Sequence, residues 1–317
     1  MRGIFLDIDT IDRGDIDLDG LRATLPEWIF LATGNGDAGA LSMQADILVS
    51  NKVLIDAEAI NAAGNLKLIC IAATGTNNVD LAAAAEKGIP VCNVRGYATP
   101  SAVEHVFSLI LCLSRSFPDY IQAVGRGRWQ EADTFCMLDF PIGEITGKTL
   151  GIIGFGELGR AVAAMGSAFG MTVLIAERKG APLRPGRTHF HDVLSRSDIV
   201  SLHCPLTRET QDLIGSTELL GMKRDAILIN IARGGIVNER DLSDALQSGV
   251  IGGAAIDVLT EEPPRSGNPL LSVSHPNLIV TPHIAWASSN SRQRLVNEIT
   301  ANIRAFLSGT PRNVVCN

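Results

Sequence analysis

Two doubly wound α/β domains are the architecture this 317-residue chain predicts. Short runs rich in Ile and Val alternate with helical patterns along its length. The runs are apolar throughout instead of alternating with polar residues, as strands of a parallel sheet covered on both faces must be. The rhythm also comes in two blocks, one on each side of a long helical stretch. A hydrophobic fraction of 46% supplies enough apolar side chains for two cores.

The first block contains "GIFLD", "WIFLA", "DILVS", "KLICIA" and "IPVC", separated by alanine-rich segments with helical character. "TPSAVEHVFSLILCLSR", from Thr99, follows as a long helix, with Ser101 as its expected N-cap and Glu104 completing a capping box. The second block opens after Lys148 with "LGIIG", "TVLIA", "DIVSL", "AILIN", "GAAIDV" and "LIVT". A last helix from Asn290 to Ser308 places Leu295, Ile299, Ile303 and Phe306 on one stripe, which is expected to pack back on the N-terminal domain. The expected division is therefore 1–98 with 287–317, and 99–286.

Composition excludes several classes of function. A formal charge of −7 disfavours binding to a phosphate backbone, so no nucleic-acid partner is expected. No stretch approaches the ~18 uncharged apolar residues of a membrane helix, and "MRGIFLDIDT" has acids where a signal peptide has its apolar core. A cytoplasmic protein is expected. The cysteines, Cys70, Cys92, Cys112, Cys136, Cys204 and Cys316, lack metal-ligand spacing and read as reduced thiols. No metal is expected, and "HFH" at His189 to His191 is too isolated to argue for one.

"LGIIGFGELGR" is the most informative segment. Gly154, Gly156 and Gly159 follow an apolar strand and open an apolar helix, the context that a dinucleotide fingerprint requires. One glycine makes the tight turn, one lets the pyrophosphate approach, and one lets the helix pack on the strand; the helix N-terminus, with Glu157 and Leu158, receives the phosphates. Glu177 closes the next strand, where a carboxylate accepts hydrogen bonds from the adenine ribose and repels a 2′-phosphate. This favours NAD. Arg178 and Lys179 come next and are able to pair with a 2′-phosphate, which keeps NADP open.

Ligands of open parallel sheets bind beyond the carboxyl ends of the strands, and polar residues cluster there. Cys204 and Ile231 are expected beside the cofactor path, with Asp257 on the nicotinamide side. Arg233, Glu262 and His283 lie on three successive loops and suit hydride transfer to a 2-oxo acid. Arg233 can fork two donors onto an anion, which lysine cannot match. His283 can give a proton to the developing alkoxide, and Glu262 would orient the ring and favour its charged form.

"GIIGFGELG", "INIARGGIVNE", "AIDVLTEEPP" and "TPHIAWAS" resemble, in order and spacing, the signature segments of the D-2-hydroxyacid dehydrogenases. The resemblance covers most of the chain. It implies a Rossmann-type cofactor domain inserted into a flavodoxin-like substrate domain, with Arg233, Glu262 and His283 as the catalytic trio. It also implies a homodimer built through the helix from Thr99 and the following arm, including Trp129.

"IAATGTNNVD" looks like that family's substrate loop, with Gly75 and Thr76 binding the substrate carboxylate and Thr74 reaching the cofactor; Asn51 and Lys52 are expected to face the cleft. Trp286 and "RQRL" look most like the glycerate dehydrogenase (hydroxypyruvate reductase) branch. A bulky Trp286 near His283 limits the substrate to a short side chain, hydroxypyruvate or glyoxylate, with a bulkier 2-oxo acid as the alternative. Glu262 argues against a formate dehydrogenase, in which glutamine is expected because formate exchanges no proton. A non-catalytic NAD(H) sensor of the same fold is the rival from another class, but no polar tail or basic surface suggests a transcriptional partner.

Overall fold

The computed structural model describes residues 1–34, 44–273 and 275–316, and the chain divides into two compact units, Met1–Ser101 with Trp286–Asn317 and Ala102–Ala285. The first contains β1 (Arg2–Phe5), β2 (Glu27–Phe30), β3 (Ile47–Ser50), β4 (Leu68–Ile71) and β5 (Val91–Cys92), parallel strands in the spatial order β2-β1-β3-β4-β5. Successive residues of a strand point to opposite faces. Ile4, Leu48 and Ile69 accordingly fill one core of this unit, and Phe5, Ile47, Val49 and Leu68 fill the other. All seven are fully buried, which explains why these runs are apolar without interruption.

Val314–Cys316 adds an antiparallel edge strand beside β5. Three residues are too short to show a period, and the sequence gives no sign of it. The terminal helix, Ser289–Leu307, starts from Ser288, whose hydroxyl accepts the amide of Ser291. Its Leu295, Val296, Ile299 and Ile303 join Phe5, Val49 and Cys70 in one core. Burial of each such aliphatic side chain contributes roughly 1.5–3 kcal/mol.

In the second unit β6 (Thr149–Ile153), β7 (Thr172–Ile175), β8 (Ile199–Leu202), β9 (Ile227–Asn230), β10 (Gly253–Ile256) and β11 (Leu278–Val280) are parallel, in the order β7-β6-β8-β9-β10-β11. Thr188 pairs with Ala176 beyond β7, a rudiment of a further parallel strand. The chain reverses its direction of travel across the sheet between β6 and β8, the switch point at which doubly wound sheets bind ligands. Leu150, Ile152 and Ile229 pack on one face of this sheet, and Val200, Leu228 and Ile256 on the other.

The long helix spans Thr99–Ser114. Ser101 therefore lies within its first turn and is not the N-cap. Pro100 explains the earlier start, because its fixed φ suits a first helical turn and its missing N–H is one the helix leaves unbonded there. Val103, Val106, Phe107 and Ile110 of this helix are buried in the core of the second unit. Among the described residues no helix is long and apolar enough to cross a membrane.

Candidate active site

The loop after β6 is built from close approaches. Gly154 adopts φ +93°, and a Cβ there would stand 2.5 Å from the amide nitrogen of Cys204. A Cβ on Gly159 would stand 2.1 Å from the carbonyl oxygen of Gly154. Both positions demand glycine. Gly156 is the N-cap of the Glu157–Ala168 helix, whose first turn holds Glu157 and the half-buried Leu158. His203 donates its amide to the Ile153 carbonyl at 2.7 Å, so the segments after β6 and β8 are fixed side by side at the switch point. The bare glycine cradle and the helix N-terminus beside it fit a dinucleotide pyrophosphate. Burial pushes the Cys204 thiol above its usual range, so it is a small uncharged wall of this loop.

Glu177 departs from expectation. Its carboxylate is almost fully buried and already engaged: Arg184 donates Nε to Oε2 at 2.6 Å and Nη2 to Oε1 at 2.7 Å, and the Arg178 amide donates to Oε1 at 2.8 Å. The Arg184 fork, followed by that amide, holds the carboxyl down at about 2. A carboxylate with three donors has little acceptor capacity left for ribose hydroxyls. Lys179 departs too, since its ammonium is paired with Glu218 at 2.8 Å.

Beyond β9, Asn230 folds the chain around Arg233: its Oδ1 accepts the Ala232 amide at 3.0 Å and its Nδ2 donates to the Arg233 carbonyl at 3.0 Å. Ile231 is buried, whereas Arg233 is exposed and donates Nη1 to the Ala232 carbonyl at 2.6 Å. A Cβ on Gly234 would meet the Leu259 carbonyl oxygen at 1.9 Å, so the Arg233 loop lies directly against the segment leading to Glu262. Glu262 accepts the Leu259 amide on Oε1 at 2.9 Å and meets His283 Nδ1 with Oε2 at 2.6 Å. With Glu262 Oε2 as the acceptor, Nδ1 carries the hydrogen of this contact.

His283 has φ +55°, a left-handed conformation that costs an L-residue of order 1 kcal/mol or more. Asp257 enforces it. His283 donates its amide to the Asp257 carbonyl at 2.8 Å, the Ile284 amide donates to Oδ1 at 2.9 Å and the Ala285 amide to Oδ2 at 2.9 Å. The Thr281 hydroxyl also donates to Oδ1, at 2.5 Å. The carboxylate expected on the nicotinamide side is thus turned into its own chain, because a buried charge must be met by donors.

In the first unit the loop after β4 holds Thr74, Gly75 and Thr76. Thr74 donates its hydroxyl to the Val94 carbonyl at 2.8 Å, and the Thr76 carbonyl accepts the Val79 amide at 3.2 Å. Asn51 was expected to be open to substrate; it is buried, with Nδ2 donating to Thr10 Oγ1 at 3.0 Å. Lys52 is exposed. Asp7, which sequence reasoning missed, organises this turn by accepting the amides of Asn51, Lys52 and Val53 at 2.9, 2.6 and 3.2 Å. Burial raises the Asp7 carboxyl above its usual range against the pull of those amides. Trp286 packs edge-on against Tyr97, ring centroids 6.4 Å apart, at the margin of the core containing Leu295. Among the described residues no cluster of three or more His, Cys, Asp or Glu could hold a metal ion.

Residues 107–285 match the family model for the D-isomer specific 2-hydroxyacid dehydrogenase NAD binding domain. The chain belongs to this dehydrogenase family. It is an oxidoreductase that works with a nicotinamide coenzyme on 2-oxo and 2-hydroxy acids. This dehydrogenase is 46% identical to a glycerate dehydrogenase of Methylorubrum extorquens over 86% of its own length and 85% of the relative's. It is 35% identical to a hydroxypyruvate reductase of Blautia hydrogenotrophica over 99% of both chains. A crystal structure of a Thermus thermophilus protein, 33% identical, superposes with a TM-score of 0.84 over 99% of this chain and 100% of the other.

Two further features of the dehydrogenase were beyond sequence reasoning. Arg184 lies in an irregular segment after β7, and only the fold brings it onto Glu177. His105 had no visible partner in the sequence; its Nε2 lies 3.2 Å from Thr281 Oγ1 and 3.6 Å from Asp257 Oδ1.

Proposed function

We propose that this dehydrogenase reduces a short 2-oxo acid, hydroxypyruvate or glyoxylate, to the D-2-hydroxy acid and runs the reverse oxidation, with Arg233, Glu262 and His283 as its catalytic residues. The observation that carries the reading is the 2.6 Å contact between His283 Nδ1 and Glu262 Oε2, with the Leu259 amide holding the other carboxylate oxygen. The curated relatives named for glycerate and hydroxypyruvate support the substrate class.

The coenzyme, when bound, supplies or accepts the hydride. Gly154, Gly156, Glu157, Leu158 and Gly159 would hold its pyrophosphate, Glu177 would lie toward the adenosine, and Cys204 and Ile231 would line the path toward the nicotinamide, while Asp257 acts through the turn that carries His283. On the substrate, Arg233 donates to the carboxylate and the carbonyl oxygen, and its one bond to Ala232 leaves other N–H groups for an anion. As charge develops on that oxygen, His283 gives it the Nε2 proton, while the Glu262 carboxylate holds the ring through Nδ1. In oxidation Nε2 takes the hydroxyl proton. Gly75 and Thr76 would supply amides to the carboxylate, Thr74 would reach the coenzyme, and Trp286 would limit the side chain. Asn51 shapes its turn through Thr10.

A homodimer is part of the same reading. Phe117, Ile121, Val124, Trp129, Phe135 and Leu138 are exposed, Phe135 at 90%, on the Phe117–Gly125 helix and the arm after it. Six large apolar side chains left exposed along one short stretch of chain support a protein interface there.

A panel of 2-oxo acids tests the substrate assignment through NADH oxidation. Hydroxypyruvate and glyoxylate should be turned over at ordinary enzyme rates, on the order of 1 to 10³ per second, and ahead of branched 2-oxo acids. Coenzyme binding with no turnover of any acid would refute it.

A further inference from the structure

We infer that His105, on the Thr99–Ser114 helix, is a positioning residue of this dehydrogenase, acting through Thr281 and Asp257 to hold the left-handed backbone that presents His283. The inference rests on the reading of His283 as the proton donor.

The direction of each bond follows from elementary proton counting. Both Asp257 carboxylate oxygens accept backbone amides, and Thr281 Oγ1 donates to Oδ1 at 2.5 Å, a contact that uses the single hydroxyl hydrogen of Thr281. Thr281 Oγ1 can therefore only accept from His105 Nε2, 3.2 Å away. His105 must then be the tautomer protonated on Nε2. Burial pulls its pKa below the usual histidine range, with Asp257 opposing, so the ring is neutral at neutral pH. The result is a one-way relay from ring N–H to hydroxyl to carboxylate.

The end of the relay is the strained turn. Asp257 accepts the Ile284 and Ala285 amides on its two carboxylate oxygens and the His283 amide on its carbonyl. These bonds define the backbone on both sides of the φ +55° residue. A left-handed histidine persists only where its surroundings over-determine it. Thr281 is anchored from below by donating its own amide to the Ile256 carbonyl at 2.9 Å. His105 supplies the remaining restraint, fixing the Thr281 rotamer that aims its hydroxyl at Asp257. Without that donor the hydroxyl is free to turn, and the carboxylate loses a buried partner. Outer groups that orient a reacting histidine act in this manner at many sites.

The test is a set of variants assayed with NADH and hydroxypyruvate: His105→Leu, His105→Gln, Thr281→Val, Thr281→Ser, the double variant His105→Leu/Thr281→Val, and His283→Ala. Loss of a restraint that sets reacting geometry should lower kcat by about tenfold while the KM for NADH changes by less than about threefold. His105→Gln, whose amide nitrogen reaches the Nε2 position, should restore most of that loss. Thr281→Val should match His105→Leu, Thr281→Ser should resemble the parent, and the double variant should be no slower than the worse single one, because both members act through one chain. Unchanged kcat in His105→Leu, failure of His105→Gln to rescue, or additive losses would overturn the assignment. If His105→Leu does not fold, the Thr281→Val and Thr281→Ser pair decides, equal kcat in the two being fatal. A fully active His283→Ala would remove the proton-donor reading and this inference with it; an impaired His283→Ala beside a normal His105→Leu would remove the inference alone.

Discussion

Arg184 closes a two-pronged ion pair on Glu177, with Nε to Oε2 at 2.6 Å and Nη2 to Oε1 at 2.7 Å. The carboxylate that would reject a 2′-phosphate is thus neutralised by a neighbour whose side chain is 60% exposed.

Coenzyme choice should depend on both partners. Arg184→Ala leaves the Glu177 charge uncompensated and should raise the preference for NADH over NADPH, whereas Glu177→Ala frees the guanidinium and should shift it toward NADPH. Each change in the ratio of kcat/KM values should be roughly tenfold, the scale of about 1.4 kcal/mol. An unmoved ratio in both variants would place discrimination elsewhere.

Removal of the proposed proton donor should be felt in chemistry and not in coenzyme affinity. His283→Ala should lower kcat by roughly 10² to 10⁴. Fluorescence titration should give an NADH Kd close to the parent value, and normal turnover would end the assignment.

Arg233→Lys keeps the charge and loses the planar fork. Binding of the 2-oxo acid and turnover should both suffer, lowering kcat/KM by at least about tenfold. Equal kcat/KM values would show that the two-pronged geometry is unused.

Acid sensitivity should have a distinct contribution from His203. Its Nδ1 is shut off from solvent without a partner, and burial drives its pKa down to about 3. The unfolded chain binds that proton near pH 6.5, so between about 6.5 and 3 unfolding takes up a proton and stability falls as the pH is lowered. Above that window the penalty is absent. Denaturant melts from pH 7 to 4 should show a steeper loss for the parent than for His203→Gln; parallel curves would contradict the assignment.

Much of this architecture is legible in the chain because parallel strands buried on both faces have few sequence solutions. The runs containing Ile152, Val200 and Leu228 announce themselves as unbroken apolar stretches. Glycines are legible where the backbone leaves no room for a Cβ, as at Gly154 and Gly159. The contact of His283 with Glu262 is legible for a similar reason, since each follows a strand and β10 pairs with β11. What escapes is long-range or too brief to have a period. Asp7 meets a turn more than forty residues away, Arg184 meets Glu177 across an irregular loop, and His105 meets Thr281 at a separation of 176 positions. Ser101 was misread as a cap because serine followed by Glu104 imitates a capping box, while Pro100 already occupied the first turn.

The interleaving of the two units along the chain has a consequence for biosynthesis. Ala102–Ala285 is uninterrupted, so the coenzyme-binding unit can complete its core while the ribosome is still at work. The other unit must wait, since Leu295, Val296, Ile299 and Ile303 are made only after the whole of Ala102–Ala285 and its core is unfinished without them. Until they emerge, its earlier strands expose apolar surface that a chaperone would have reason to cover.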